Sequence, residues 1–550
     1  MKLPARWCRA RLGGICQAVL KVEPLKAGLR EFQYLDISSI DNSTNRVVYP
    51  KTCAAQDAPS RARQIVRSGD ILFCTVRTYL RNIAIVADTF DGQIASTGFC
   101  VIRPHDELVS RFFFYLSLSE SFLQPLNELQ RGSSYPAVRD GDVFDQDVPL
   151  APVMEQRAIV AKIEALFSEL DKGVEQLQAV RQQLKRYRQS VLKAAFEGKL
   201  TAKWREEQQA AGKLPSADDL LAQIKAEREA RCQQQLADWQ QAVKDCEAAG
   251  QKGKKPRQPA KPKKLATFSP EAMAALPGAP AQWAWSQVDA FAFVTKLAGF
   301  EYTKYVKYDA TGDLPVLKAE NAGRSGFRLT DFSHVRSETV QHLTRSWLHG
   351  GEVLMVFVGA GVGNVALVPE DRSYFLGPNI CMIRCELPNV LPTYLEHYLR
   401  SPGGHDLALG YAKAVAQPSL SMGTIRLIPV VIPSVDEQQR IVNELESRFS
   451  VLDEMDKAVE AGLAQAEALR QSILKKAFEG RLLNGSELAS VQVDPAYEPA
   501  EKLLERVRAQ RASTGTGQAS TCKGRKAKPA ERPQVVLTLA QGERNGRLGP

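Results

Sequence analysis

The chain contains itself twice. EQRAIVAKIEALFSELD at 155–171 returns as EQQRIVNELESRFSVLD at 437–453, and RQSVLKAAFEGKL at 188–200 returns as RQSILKKAFEGRL at 470–482. Between these blocks the register holds at 282 residues, and about 21 of 46 positions are identical. A repeat this long lies far outside the periods of solenoids. It means two copies of a globule with its own helix, so approximate two-fold symmetry is built into the chain and a two-part partner suits it.

The first copy opens at Pro4-Ala5-Arg6-Trp7 and the second at Pro280-Ala281-Gln282-Trp283. GDILFCTVRTYLRNIAIV (69–86) matches GEVLMVFVGAGVGNVALV (351–368), and both read as strand, loop, strand because β-branched and apolar residues flank a polar or glycine-rich centre. FCVIR (99–103) and ICMIR (380–384) read as a further strand, and the aromatic stretches 111–123 and 393–402 as packed helix. The fold class expected is α+β: two similar mixed globules joined to two long helices. The segments are a globule at 1–152, a helix with its extension at 153–248, a basic proline-rich linker at 249–279, a second globule at 280–433, a second helix with extension at 434–512, and a low-complexity tail at 513–550.

In both helices the apolar residues step three and four apart, which is a heptad seam. The first carries Ile163, Leu166, Leu170, Leu177, Leu184 and Phe196; the second carries Leu445, Leu452, Val459, Leu469 and Phe478. The obvious partner of each seam is the other. After each helix, DLLAQIKAERE (219–229) resembles KLLERVRAQRA (502–512), read as a short helix that docks back or binds a partner.

The net charge of +10, from 72 Lys+Arg against 62 Asp+Glu, mildly favours a polyanion. Ten scattered cysteines form no disulfide framework, which fits a reducing cytoplasm, and Cys100 and Cys381 read as buried thiols. No apolar run reaches the length of a membrane span. The run Gly359-Ala360-Gly361-Val362-Gly363 follows a strand but precedes another strand, whereas a phosphate cradle needs a helix N-terminus. Asp494-Pro495-Ala496-Tyr497 is a poor match to an amino-methyltransferase motif. No catalytic or metal-ligating constellation can be argued from the residues.

The doubled motifs Glu155-Gln156, Phe167-Ser168, Leu170-Asp171 and Ala195–Leu200, with Glu437-Gln438, Phe449-Ser450, Leu452-Asp453 and Ala477–Leu482, resemble the specificity subunit of type I restriction–modification enzymes. Leu35–Asn42 and Gly69–Leu72 add to the match. The resemblance implies that each globule is a target recognition domain reading half of a split double-stranded DNA site. It implies that the helices pack antiparallel as a spacer and dock two methyltransferase subunits, with restriction subunits joining. S-adenosylmethionine, ATP and Mg would then sit on those partners, with no cofactor and no catalysis on this chain. Candidate DNA contacts are the polar loop residues Arg77, Tyr79, Arg81, Arg131, Ser133, Ser134 and Tyr135 in the first copy, and Lys318, Asn321, Arg324, Lys413 and Gln417 in the second. A self-sufficient DNA-modifying enzyme and a purely structural coiled-coil adaptor are the alternatives.

Overall fold

The structure is a computed structural model and describes residues 3–132, 134–248, 257–259, 268–410 and 419–513. It divides into two compact units, one formed by Met1–Asp171 with Glu467–Pro550, the other by Lys172–Ala466. Each long helix therefore gives one part to one unit and the rest to the other.

In the first unit, Cys8–Arg11 pairs antiparallel with Asp147–Leu150, tying the start of the globule to its last strand. A three-stranded sheet runs Phe99–Ile102, Ile71–Cys74, Ile83–Ile85. Ile71–Cys74 is buried at every position, as a short unbroken apolar run between turn signals should be. A four-stranded sheet orders Lys51–Ala54, Glu31–Leu35, Ile94–Ser96 and Ala62–Ile65, with the central pair parallel. The aromatic stretch folds as two helices, Ser110–Ser117 and Glu120–Glu128.

The second unit repeats this plan. Ala284–Gln287 pairs with Pro429–Ile432. Ala292–Lys296, Ile380–Cys385, Val353–Val356 and Val365–Leu367 form one sheet, and Ser333–Val335, Leu314–Leu317, Tyr374–Leu376 and Trp347–Leu348 another. The glycine-rich run at 359–363 is the turn between Val353–Val356 and Val365–Leu367. An ion pair pins each globule at equivalent places, buried in the first copy and half-buried in the second. Arg103 donates from Nε and Nη2 to the two oxygens of Asp70 at 2.8 and 2.6 Å, and Arg384 donates to Glu352 at 2.9 Å. Cys100 and Cys381 are fully buried, as expected.

The long helices are Val153–Phe196 and Val435–Phe478, 44 residues each. Both stop four residues short of the end of the repeated block. Gly198 and Gly480 take positive φ (73° and 70°), and the amides of Lys199 and Arg481 return to the carbonyls of Ala194 and Lys476 at 2.9 and 2.8 Å. This is the glycine-terminated helix stop, available cheaply only to a residue without Cβ.

The single continuous seam is corrected. Ile163, with Leu166 and Leu170 beside it, packs into the first globule's core, and that core also takes Phe478. Phe196, Leu445 and Leu452, with Leu184, join the core of the second. Val459 is buried and Leu177 half-buried, but Leu469 is 47% exposed, and Val180, Tyr187 and Met455 are exposed too. Near its ends, then, each helix spends its apolar face on a globule, and in the middle the apolar contact shrinks to Val459 and Leu177, joined by ion pairs from Arg181 to Asp456 and Glu460. Arg188 pairs with Asp453 and lies over Phe449 at 4.8 Å. Its repeat partner Arg470 pairs with Asp171 and lies over Phe167 at 4.5 Å. The RQS and FSxLD blocks are thus two halves of one contact, made once in each unit, and it places the two helices antiparallel there.

The expected short helix is 32 residues in the first copy, Ala217–Ala248, and 14 in the second, Ala500–Ser513. Leu220 and Ile224 are buried in the second unit; their counterparts Leu503 and Val507 are buried in the first. The extension of each copy therefore docks on the other copy's globule. Only Arg257–Pro259 of the basic run at 252–264 is described.

Candidate nucleic-acid interface

The loops are carried on a joint that explains the repeated motifs. In the first unit Glu155 is buried and accepts from the Trp7 indole N–H at 2.8 Å, from Arg6 Nε at 2.6 Å and from the Tyr497 hydroxyl at 2.9 Å. In the second, Glu437 accepts from Trp283 at 2.9 Å, from Arg205 at 2.5 Å and from Thr201 at 2.7 Å. Burying a carboxylate is costly, and these donors offset that cost by satisfying its oxygens. The neighbouring glutamine caps the globule. Gln156 accepts from the amide of Val109, which precedes the Ser110 helix, and donates to Ala151 O. Gln438 accepts from Leu391, which precedes the Pro392 helix, and donates to Asn389 O and Pro433 O. The AFEG block closes the joint from the other copy. Phe478 meets Phe112 edge-on at 5.2 Å, and Phe196 meets Tyr394 and Tyr398 at 5.4 Å. Tyr497, from the weak methyltransferase-like motif, therefore serves as an internal tether.

In the first globule three loops converge. The backbone amide of Arg77 donates to Pro136 O at 2.7 Å, its Nη2 donates to Ser134 O at 3.2 Å, and its guanidinium lies 5.1 Å from the centre of the Tyr135 ring. Thr78 donates to Asn127 at 2.5 Å and accepts from Gln130. Tyr79 and Tyr135 are exposed, as are Arg131 and Ser134. Arg81 is committed elsewhere: it donates to Glu120 at 2.7 Å and to Glu467 at 3.1 Å. Ser133 lies outside the described residues.

The sequence reading missed the third loop. Ile40–Asp41 and Arg46–Val47 form a hairpin whose tip rests on the Arg77–Arg81 turn. Asn42 donates to Leu80 O at 3.1 Å, and Asn45 donates to Arg81 O and Ile83 O at 3.3 and 3.0 Å. Arg46 is left exposed beside it. The run Asp41-Asn42-Ser43-Thr44-Asn45 was the available signal, since such residues cluster in turns.

In the second globule the equivalent hairpin is Ala322–Gly323 with Gly326–Phe327, and Arg324 is exposed at its two-residue tip. Asn321 is buried and occupied, accepting from the amide of Lys318 and donating to Arg328 O and Thr330; it holds the loop together and does not face outward. Lys318 donates to Ser333 at 2.6 Å and lies 4.7 Å from the Tyr308 ring. The same position in the first copy is Asp36, which accepts from Lys51 at 2.7 Å. Although burial works the other way, the hydrogen bonds and charge of Lys51 hold the Asp36 carboxyl below its usual range. Burial pushes the His405 imidazole down, and the charge of Arg324 adds to this. Lys413 and Gln417 lie outside the described residues.

These features define a class: a duplicated protein in which closed joints hold two α+β globules with dissimilar polar loop faces. No family model matches the chain. It is 23% identical over 421 residues to the specificity subunit of the type I restriction enzyme EcoBI of Escherichia coli, covering 76% of each chain. It is 23% identical over 431 residues to the EcoKI specificity subunit of Escherichia coli K12, covering 77% of this chain and 76% of that one. The EcoDI subunit of Escherichia coli matches at 24% over 415 residues, 75% and 79%. Among solved structures, a chain from work on complex assembly and conformational transition of the type I R-M system superposes with a TM-score of 0.60 at 24% identity, covering 88% of this chain and all of that one. Over three quarters of its length the chain is similar to the specificity subunits of type I restriction enzymes. Among the described residues, no helix is long and apolar enough to cross a membrane.

Proposed function

We infer that this chain reads a bipartite double-stranded DNA site, one half through the loops of each globule. The observation that carries this reading is the contrast just described: two globules anchored by the same joint present different polar loops. A protein that needed only a scaffold would have no use for two such faces. Sequence is read at base edges, while lysines and arginines hold phosphates. The exposed apolar residues of the long helices, Val180, Tyr187, Val451, Met455 and Leu469, offer a docking surface for methyltransferase subunits, with restriction subunits joining the assembly. In this reading the chain catalyses nothing. S-adenosylmethionine, ATP and Mg belong to the partners.

The experiment is to incubate DNA and S-adenosylmethionine with the purified chain, with a methyltransferase partner, and with both. Methyl transfer at a fixed split sequence is expected only from the mixture of both. Transfer by the chain alone would favour the self-sufficient enzyme, and sequence-independent behaviour of the mixture would favour the plain adaptor.

A further inference from the structure

Two residues of the first globule hold a conformation that costs energy. Arg77 (φ 51°) and Arg81 (φ 53°) flank a single tight turn, both in the left-handed region. For a residue with a Cβ this region is unfavourable by about 1–2 kcal/mol. The repeat shows that the turn itself does not require them. Their counterparts 282 residues on are Gly359 (φ 105°) and Gly363 (φ 84°), which join the matching pair of strands. Glycine adopts this backbone freely. The first copy thus retains two arginine side chains where the fold would be served better by none.

The two arginines have different uses. Arg81 is neutralised by Glu120 and Glu467 and works as an internal clamp. Arg77 has no carboxylate partner among the described residues, and its Nε is buried without a hydrogen-bond partner, a second cost. Its guanidinium is instead held by Ser134 O and by the face of Tyr135, itself 73% exposed. Strain kept at a half-buried, pre-positioned cation beside an exposed aromatic ring points to a ligand outside the chain. A planar guanidinium fixed by an aromatic ring matches the O6 and N7 acceptors of guanine in the major groove, the commonest specific arginine contact to DNA.

We propose that Arg77 determines specificity in the first globule by reading a guanine in its half of the DNA site, with Tyr135 as the positioning residue. This rests on the DNA-reading function inferred above. The second globule, with Gly359 at the same place, reads its half without this contact.

The test is selection from DNA duplexes randomised across both halves, using the full chain assembled with its methyltransferase partner. Wild type should enrich a split sequence with a fixed guanine in one half. Arg77→Gly should lose discrimination at that base pair by roughly 10- to 100-fold, leave the other half unchanged, and melt at the same or a higher temperature because the strain is relieved. Arg77→Gln should lose guanine and drift toward adenine, whose N6 and N7 suit an amide. An unchanged preference in both variants would overturn the assignment, as would loss of both halves together. A lower melting temperature with the preference intact would mark Arg77 as structural, again overturning it. If wild type enriches no split sequence, the DNA-reading function itself falls, and the assignment with it.

Discussion

The joints and the loop faces of the two copies obey different constraints. At the joints the copies use the same parts: Trp7 and Trp283 on Glu155 and Glu437, Gln156 and Gln438 on the amide just before a helix, Phe478 and Phe196 against aromatic residues. At the loops they diverge, Arg77 against Gly359 and Asp36 against Lys318, on backbones that still correspond. A joint residue must satisfy buried partners inside the chain, so few residue types serve. A loop residue answers to whatever lies outside.

The largest effect should come from the joint carboxylates. Glu155→Ala or Glu437→Ala strands a buried indole N–H and an arginine, and each should lower stability by about 3–5 kcal/mol in chemical denaturation. If one is harmless, the two joints are not equivalent. The glycines sharpen the same comparison. A Cβ on Gly198 would stand 2.3 Å from Pro280 Cγ, and on Gly480 2.4 Å from Pro4 Cγ, so alanine at either should cost about 2–4 kcal/mol. Gly173, mid-helix with nothing within 4 Å, should instead gain about 1 kcal/mol as alanine. The helix contacts come next: Arg188→Met and Arg470→Met remove a partly exposed ion pair and ring contact, and each should cost about 1 kcal/mol. Unequal losses would break the symmetry of the pair. The smallest effect is chemical. Burial pushes the thiols of Cys16 and Cys381 up to about 12, so at pH 9 only about one in a thousand is thiolate. Alkylation read by mass spectrometry should spare both in the folded chain while the half-exposed Cys53 and Cys232 react.

The duplication, the strand pairs and the long helices were legible because identity at fixed offset and hydrophobic period are local properties of the sequence. Closure of each globule by the other copy's helix end was not. It joins Trp7 to a glutamate 148 residues away and to a helix end from the far side of the chain, and no local pattern encodes that. The seam was over-read for a related reason: Leu469 and Leu445 have the same spacing, but only the second meets a globule. In the site, Arg77 and Tyr135 were legible as polar loop residues, whereas the occupation of Arg81 and the burial of Asn321 depend on long-range partners.

The central claim is that each globule reads one half of a split site. The direct measurement replaces residues 3–152 with the same region of another specificity subunit and maps methylated DNA sites in a host carrying the assembled complex. The account predicts that one half of the recognised sequence changes and the other is kept base for base; a change in both halves would contradict it.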